Sequence, residues 1–411
     1  MYPPFAPQCC DAMGYLELGH RCFAEGRCWH GLRPLGMALY ASLPYRLGLP
    51  QESLIYFNLG LVLVSVILAA RFIRAVWPAT GTVLSFMRYP IALVPHVAFL
   101  WAVCFNSLSD APAAALALSG LWLTCITVVE RRGPVAAGAS GLLLGLSAFV
   151  RLSYVYPVLL FGAVYAAIVV CRRRVPAANA MALLAALLAP LSLQVARTFA
   201  HTGTWSYSDP SVNVYVVSLH PQSALYGYDT IVPPWQGPDP ARPPSNPDVI
   251  ALYQGFAVGY DARSCFTGRT GLVPALRDGD VAGALCLLVK RQFFYFGSYA
   301  RLGAVYLPSP ETRVWSRWLC VINIVPVALT LYGLLICADH VVGVLVLVLL
   351  SSIWLVATVP PPEQRFFATV HISMWVIALA TVWSRLVHHR SPVTPTGSPP
   401  RSLTPTSASR V

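Results

Sequence analysis

Long apolar runs, separated by short polar turns, make up most of the chain. A helix needs about 20 mainly apolar residues to cross the roughly 30 Å hydrocarbon core of a bilayer. Such runs predict membrane helices near residues 53–71, 89–106, 112–129, 154–171, 178–197, 318–337, 341–359 and 366–385, and a shorter run predicts one more at 138–151. The pattern therefore predicts an all-α polytopic membrane protein with about nine transmembrane helices.

The arginines predict the orientation of these helices, because short cytoplasmic loops retain Lys and Arg while translocated loops lose them. Basic clusters follow the first, third, fifth and last helix, at Arg71 and Arg74, Arg131 and Arg132, Arg172 to Arg174, and Arg385 to Arg390. All four clusters share one side only if 138–151 also crosses the membrane. That side is predicted to be cytoplasmic, and the outer side then receives residues 1–52, 107–110, 198–317 and 360–365.

This topology divides the chain into an outer amino-terminal loop (1–52), helices one to six (53–197), an outer segment (198–317), helices seven to nine (318–386) and a cytoplasmic tail (387–411). The outer segment is too long to be a plain connection, and its proline-rich centre predicts an irregular loop or lid. Two stretches around that centre, 249–257 and 280–299, have helical spacing, and the second suits a helix in the membrane interface. The Ser/Thr/Pro-rich tail is predicted to be disordered.

No run before Asp11 is long and apolar enough to carry the first outer loop across a membrane. We therefore expect a further helix upstream of the sequence. Within the loop, Ala12 to Phe23 has helix-compatible spacing.

Composition agrees with a membrane protein, since 56% of the 411 residues are hydrophobic, 11% are charged and the mean hydropathy is +0.62. Much of the net charge of +12 comes from arginines of the predicted cytoplasmic loops, so the charge does not indicate nucleic-acid binding. The sequence has no metal-ligand spacing and no cofactor motif. Five of the 11 cysteines are predicted to face an oxidising compartment, which permits a disulfide among them without assigning a pair: Cys9, Cys10, Cys22, Cys28 and Cys265.

Two acids on the predicted outer side are candidates for chemistry. Asp11 opens the helical stretch of the first outer loop, and Asp110 follows Leu108-Ser109 just before a membrane helix. Each also has a structural interpretation as a helix cap, and Ser109-Asp110 ahead of Pro112 is typical of one. The residues alone leave both interpretations open.

The order of several short motifs resembles the GT-C membrane glycosyltransferases, in particular the bacterial family related to protein O-mannosyltransferases and lipid A aminoarabinose transferases. The matching residues are Asp11-xxx-Tyr15-Leu16, Arg33-Pro34-x-Gly36, Leu108-Ser109-Asp110, Gly141-xxx-Gly145 leading to Val150-Arg151, and Glu363-x-Arg365-Phe366-Phe367. The resemblance covers roughly 11–200 and 318–385 and leaves the outer segment unmatched.

The resemblance implies transfer of a sugar, with inversion, from a polyprenyl-phosphate carrier to a hydroxyl of a lipid, glycan or protein acceptor. The reaction would occur at the outer face of a bacterial inner membrane. The resemblance makes Asp11 the general base and Asp110 the second acidic position, where the family more often has Glu. Arg365 is the first candidate for the donor phosphate, followed by Arg33, Lys290, Arg291 and Arg301, while Tyr15, Arg151 and Glu363 are candidates for substrate contact.

Several of these side chains also have a structural interpretation, and Tyr15 suits packing beside Asp11. Arg365, Lys290 and Arg291 suit contacts with lipid headgroups, and Arg151, at an outer helix end, suits an ion pair with an interfacial acid or a lipid phosphate. The scattered histidines His20, His30, His201 and His220 favour structural roles. A multi-span transporter or lipid flippase is the main alternative function, and a non-catalytic scaffold or receptor is the third.

Overall fold

The computed structural model describes residues 11–30, 33–78, 82–104, 109–172, 175–208, 279–286, 289, 324–336, 339–358 and 368–390. Within these ranges the regular structure is helical. The helices are α1 (Asp11–Ala24), α2 (Leu35–Arg46), α3 (Leu54–Val76), α4 (Thr82–Cys104), α5 (Asp110–Val129), α6 (Pro134–Val150), α7 (Val155–Arg172), α8 (Ala177–Thr202), α9 (Ile324–Leu335), α10 (His340–Thr358) and α11 (Ala368–Arg390). Short 3-10 turns, Gln51–Ser53 and Leu152–Tyr154, lead into α3 and α7.

Five stretches of the described residues are long and apolar enough to cross a membrane: Gln51–Val76, Asp110–Val129, Leu152–Val169, Ala177–Thr202 and Ala368–Leu386. They correspond to the membrane helices predicted at 53–71, 112–129, 154–171, 178–197 and 366–385. The shorter apolar helices in the described part of the chain are α6, α9 and the His340–Val356 part of α10. Helix α4 overlaps the predicted 89–106 but begins seven residues earlier, at Thr82, and contains Pro90 and Pro95.

Helix α5 is the central element, buried along nearly its whole length by α3 on one side and α6 on another. Helix α6 runs antiparallel to α5, since Asp110 meets Arg151 at one end and Gly120 faces Leu144 further along. It runs parallel to α8, because Gly141 faces Leu183 and Gly145 faces Leu187. Helix α6 therefore runs in the direction that the arginine pattern requires of 138–151.

Among the described residues, two groups of contacts mark opposite ends of the bundle. At one end Asn58 of α3 accepts a hydrogen bond from Tyr40 of α2 (2.7 Å) and donates one to the carbonyl of Cys104 in α4 (3.1 Å). At the other end Asn179, at the start of α8, donates to the carbonyl of Arg132 (2.7 Å). We call the first of these the loop end, since the first loop packs against it.

The first loop is a helical hairpin on the loop end of the bundle. Helix α1 agrees with the stretch predicted at Ala12 to Phe23, whereas α2 was not predicted as a separate helix. A disulfide between Cys22 and Cys28 ties the end of α1 to the following chain. Trp29 then stacks on His201 of α8, with the ring centroids 4.6 Å apart. These contacts dock the hairpin against the ends of the membrane helices.

Candidate active site

A buried ion pair lies where α5 begins and α6 ends. The guanidinium Nη1 of Arg151 lies 2.8 Å from Oδ1 of Asp110, and the two side chains are only 13% and 2% exposed. Arg151 is the extended residue that follows α6, and its Nε donates to the hydroxyl of Ser153 (3.2 Å). Since α5 and α6 are antiparallel neighbours, their packing brings the two charges together. Of the two partners expected for Arg151, an interfacial acid and a lipid phosphate, the structure shows the acid.

Ser109 extends this pair toward the first loop. Its hydroxyl accepts a hydrogen bond from Nη1 of Arg151 (2.8 Å) and donates one to the phenol oxygen of Tyr15 on α1 (3.2 Å). It makes no capping hydrogen bond to α5. The cap interpretation of Ser109 is therefore wrong for its side chain, which bridges α1 and the end of α6 instead.

Arg33 completes the chain of contacts. Its guanidinium carbon lies 4.4 Å from the centroid of the Tyr15 ring, within the range of a cation–π interaction. The guanidinium also occupies the space that a side chain at residue 14 would need, so Gly14 is what lets Arg33 lie against α1. Arg33, Tyr15, Ser109, Arg151 and Asp110 thus form one connected group, which we call the polar ladder.

Close backbone packing places the start of α2 beside the ladder. A Cβ on Gly36 would collide with the backbone of Phe149, two residues before Arg151. The backbone N–H of Leu35, one of the unpaired donors at the start of a helix, is satisfied by the side-chain oxygen of Gln194 on α8 (2.8 Å). The turn that carries Arg33 is consequently held by both α6 and α8.

The last membrane helix reaches the same end of the bundle. The hydroxyls of Tyr154 and Thr369 are 2.5 Å apart, although the residues are 215 positions apart in sequence. Tyr154 follows Arg151 by three residues, and Thr369 is the second residue of α11. The start of α11 therefore lies next to the segment that carries Arg151.

The charges around the hairpin affect His30, which lies between α1 and α2. Burial lowers the pKa of His30, and the positive charges of Arg33 and Arg21 lower it further against the opposing effect of Glu17. The imidazole is thus favoured in its neutral form beside Arg33. The positive charge of the first loop therefore comes from its arginines.

The structure brings together four of the residues singled out from sequence, namely Tyr15, Arg33, Asp110 and Arg151. For Asp11 it describes the backbone, which begins α1 four residues before Tyr15. Lys290, Arg291, Arg301, Glu363 and Arg365 lie outside the described residues, as do 249–257 and the tail beyond Arg390. The predicted helix at 280–299 is described only in part, and it begins where the carboxylate of Asp280 accepts the N–H of Gly283 (2.9 Å).

Sequence reasoning missed three contributors. Ser109 was interpreted as a cap, and neither Gln194 nor Tyr154 was considered. A signal for Gln194 was present, since an amide within a predicted membrane helix is costly unless it is hydrogen-bonded. Tyr154 carried no such signal, because its partner Thr369 comes from a distant part of the chain.

Among the described residues, no group of three His, Cys, Asp or Glu side chains is placed to hold a metal ion. The polar ladder instead combines a buried carboxylate with two guanidinium groups and two hydroxyls. Asp110 offsets the charge of Arg151, so the ladder has one net positive charge, and the guanidinium of Arg33 suits a phosphate or another anion. The arrangement is thus suited to binding an anionic group at the end of a helical bundle.

Comparison with solved structures found ArnT from Cupriavidus metallidurans in the apo state, at 14% identity and a TM-score of 0.38 over 92% of this chain and 73% of that one. The same protein bound to undecaprenyl phosphate matches at 14% identity and a TM-score of 0.37, over 90% and 72% of the two chains. ArnT is a lipid A aminoarabinose transferase with the GT-C fold. No family model and no curated protein matches the sequence. At this identity and TM-score the similarity assigns no activity, so function has to be inferred from the residues of the chain.

Proposed function

We propose that this protein is a membrane glycosyltransferase that moves a sugar from a polyprenyl-phosphate carrier to an acceptor hydroxyl at the outer membrane face, with inversion. The observation that carries the proposal is the polar ladder. It joins the first-loop motif at Tyr15 and Arg33 to the second acidic motif at Ser109-Asp110 and to Arg151. These motifs are far apart in sequence, and their order is what resembles the GT-C family.

Asp11 is the proposed general base. A sugar hydroxyl is a poor nucleophile, so a carboxylate must accept its proton as the new bond to the anomeric carbon forms. Asp11 precedes Tyr15 by four residues on α1, and residues at this spacing share a helix face. Because Tyr15 contacts Ser109, helical geometry supports a position for Asp11 on the side of α1 that faces the ladder.

Asp110 is proposed to act through Arg151 rather than as a base. Its carboxylate already receives a guanidinium at 2.8 Å, and protonation would remove that attraction. The pair holds Arg151 with its Nη1 on Ser109. In this proposal Asp110 is a positioning residue and Asp11 alone accepts the proton.

The leaving group is a polyprenyl phosphate, which takes the bonding electrons as the bond from the anomeric carbon to its oxygen breaks. Cations fixed in a partly dehydrated site stabilise the charge that develops on it. Arg33 suits this role because its guanidinium lies over the ring of Tyr15, whose side chain is half-buried. Arg365 precedes Thr369 by four residues, and four residues span at most about 14 Å. Chain connectivity thus supports Arg365 as a second phosphate contact.

The transporter alternative predicts ionisable groups within the membrane helices. Two histidines do lie there, fully buried, His96 in α4 and His371 in α11. His96 is bonded on both ring nitrogens, to the hydroxyl of Ser65 (2.9 Å) and the carbonyl of Ala92 (2.7 Å). A histidine held in this way links α3 to α4, which favours a structural role over ion transport.

The proposed function is tested by Asp11→Asn, which removes the proton acceptor at nearly constant shape. We expect sugar transfer from polyprenyl-phosphate donors to fall by at least about 100-fold, in keeping with the loss of a general base, while expression and membrane insertion stay unchanged. The matched control is Glu17→Gln, an exposed acid on the same helix, which should retain full transfer. Mass spectrometry should also show a sugar-linked polyprenyl phosphate accumulating in cells that lack the protein. Full turnover by Asp11→Asn would rule out the assigned base, and an unchanged lipid pool would rule out the transferase.

A further inference from the structure

One buried amide connects three separate parts of the loop end. Gln194 of α8 is 2% exposed. Its oxygen accepts the backbone N–H of Leu35 (2.8 Å), and its nitrogen donates to the carbonyl of Tyr207 (3.0 Å). The hydroxyl of Tyr207 in turn donates to the carbonyl of Ala148 in the last turn of α6 (2.7 Å). Gln194 thereby links the start of α2 to the segment that follows α8.

The two bonds require opposite chemistry at the two ends of the side chain. Leu35 offers a donor and Tyr207 offers an acceptor, so the residue between them must present an oxygen to one and an N–H to the other. An amide does both at once. An apolar side chain of similar length would leave the N–H of Leu35 buried without a partner, which is costly.

The location gives this link a role in the site. Leu35 follows the Arg33-Pro34 turn directly, and proline restricts the backbone there. The N–H of Leu35 is therefore a fixed point two residues from the guanidinium that lies on Tyr15. A shift of Leu35 by a fraction of an ångström would move Arg33 along the Tyr15 ring.

We propose that Gln194 is a positioning residue for Arg33, holding the cationic turn of the first loop in register with the ends of α6 and α8. This inference rests on the proposed function, in which Arg33 contacts the donor phosphate. Gln194 is buried and both of its hydrogen bonds go to backbone groups, so in this proposal it makes no contact with the donor. Its influence should appear in donor binding and not in the chemical step.

Two substitutions test these hydrogen bonds. Gln194→Met removes both, and we expect binding of undecaprenyl phosphate in nanodiscs to weaken about tenfold, because the bond to Leu35 is the one that positions Arg33 and the loss of one buried hydrogen bond has about this effect. The KM for the donor should rise by a similar factor with little change in kcat. Burial favours the neutral carboxyl in Gln194→Glu, which keeps an oxygen for Leu35 and an O–H for Tyr207, so this variant should bind undecaprenyl phosphate within about twofold of the wild type.

The matched control is Asn179→Leu. Asn179 is a buried amide on the same helix that donates to a backbone carbonyl at the other end of the bundle. Asn179→Leu should lower the thermal stability of the protein without changing its binding of undecaprenyl phosphate. Equal binding by Gln194→Met and the wild type would overturn the proposal, as would an equal loss in Gln194→Met and Gln194→Glu.

Hydrogen exchange distinguishes failure of the positioning role of Gln194 from failure of the proposed function. Peptides covering the start of α2 should exchange faster in Gln194→Met than in the wild type or in Gln194→Glu, whether or not a ligand binds. If wild-type protein does not bind undecaprenyl phosphate, the polyprenyl-phosphate donor is wrong, while the exchange of Leu35 still decides whether Gln194 holds the turn. Unchanged exchange at Leu35 in Gln194→Met would reject the positioning role.

Discussion

Asp110 and Arg151 show how a side chain's role depends on its partner. From the sequence, Asp110 was either a helix cap or a second catalytic acid, and Arg151 was an arginine on the side that arginines avoid. The ion pair between them explains both positions. Removing one partner of a buried ion pair leaves an uncompensated charge, which costs more than the pair itself contributes.

This predicts a specific pattern in a double-mutant cycle. Arg151→Met and Asp110→Leu should each destabilise the protein by about 3 to 5 kcal/mol, whereas the double variant should be more stable than either single variant. Sugar transfer should be lost in all three, because Arg151→Met and the double variant lack the guanidinium and Asp110→Leu leaves it without the partner that positions it. Thermal unfolding in detergent together with a transfer assay would measure both effects. A double variant as unstable as the sum of the two single variants would show that the pair does not act as a unit.

At the scale of elements, α6 is the helix for which the sequence predicted a membrane crossing least clearly. It has 17 residues, a length of about 25 Å, which is short for a membrane helix. Gly141 and Gly145 were part of a motif that resembled a family, without a stated role. The structure shows that they let the backbones of α6 and α8 approach, since a Cβ at either position would collide with a carbonyl of α8. Small residues four apart are typical of close helix packing in membranes.

Gly141→Ala should therefore destabilise the bundle by about 1 to 3 kcal/mol through overpacking. Gly138 provides a matched control one turn earlier on the same helix. A Cβ there would meet Ala182 at an ordinary 3.7 Å, so Gly138→Ala should be neutral or slightly stabilising. Melting temperatures in the same detergent would compare the two variants. Equal melting temperatures for Gly141→Ala and the wild type would contradict the close approach.

At the scale of the whole molecule, the hairpin and the polar ladder share one end of the bundle, and Asn179 and Arg132 lie at the other. The disulfide Cys22–Cys28 belongs to the end predicted to lie outside, where the compartment is oxidising. Cys171, in a helix end predicted to lie inside, is a free cysteine. The free cysteines do not distinguish the two ends, since Cys104 at the loop end is free as well, so the orientation stays a prediction.

Reporter fusions should establish this orientation. Alkaline phosphatase inserted after Gly48, between α2 and α3, should be active, because the enzyme folds only outside the cytoplasm. Inserted after Gly133, between α5 and α6, it should be inactive, and green fluorescent protein at the same position should fluoresce. Phosphatase activity after Gly133 would reverse the predicted orientation and place the ladder on the cytoplasmic side.

The sequence by itself determined the helical class, most of the membrane helices and the residues worth testing. Apolar runs, helix spacing and arginine asymmetry are local properties, so they can be interpreted without knowing which helices touch. Asp110 and Arg151 were singled out from their places at predicted helix ends, and Tyr15 and Arg33 from the resemblance to the GT-C family. Asp110 and Arg151 each retained more than one interpretation.

Only the tertiary structure decided which side chains meet. The contact of Tyr15 with Ser109 spans 94 residues, that of Leu35 with Gln194 spans 159, and that of Tyr154 with Thr369 spans 215. The first two pairings are accompanied by close backbone approaches, of Gly19 in α1 to α2, of Gly36 in α2 to α6 and of Gly141 in α6 to α8. Close packing between distant segments is a collective property of the folded bundle. It is the physical reason why Ser109 became a bridge and Gln194 a support for the turn that carries Arg33.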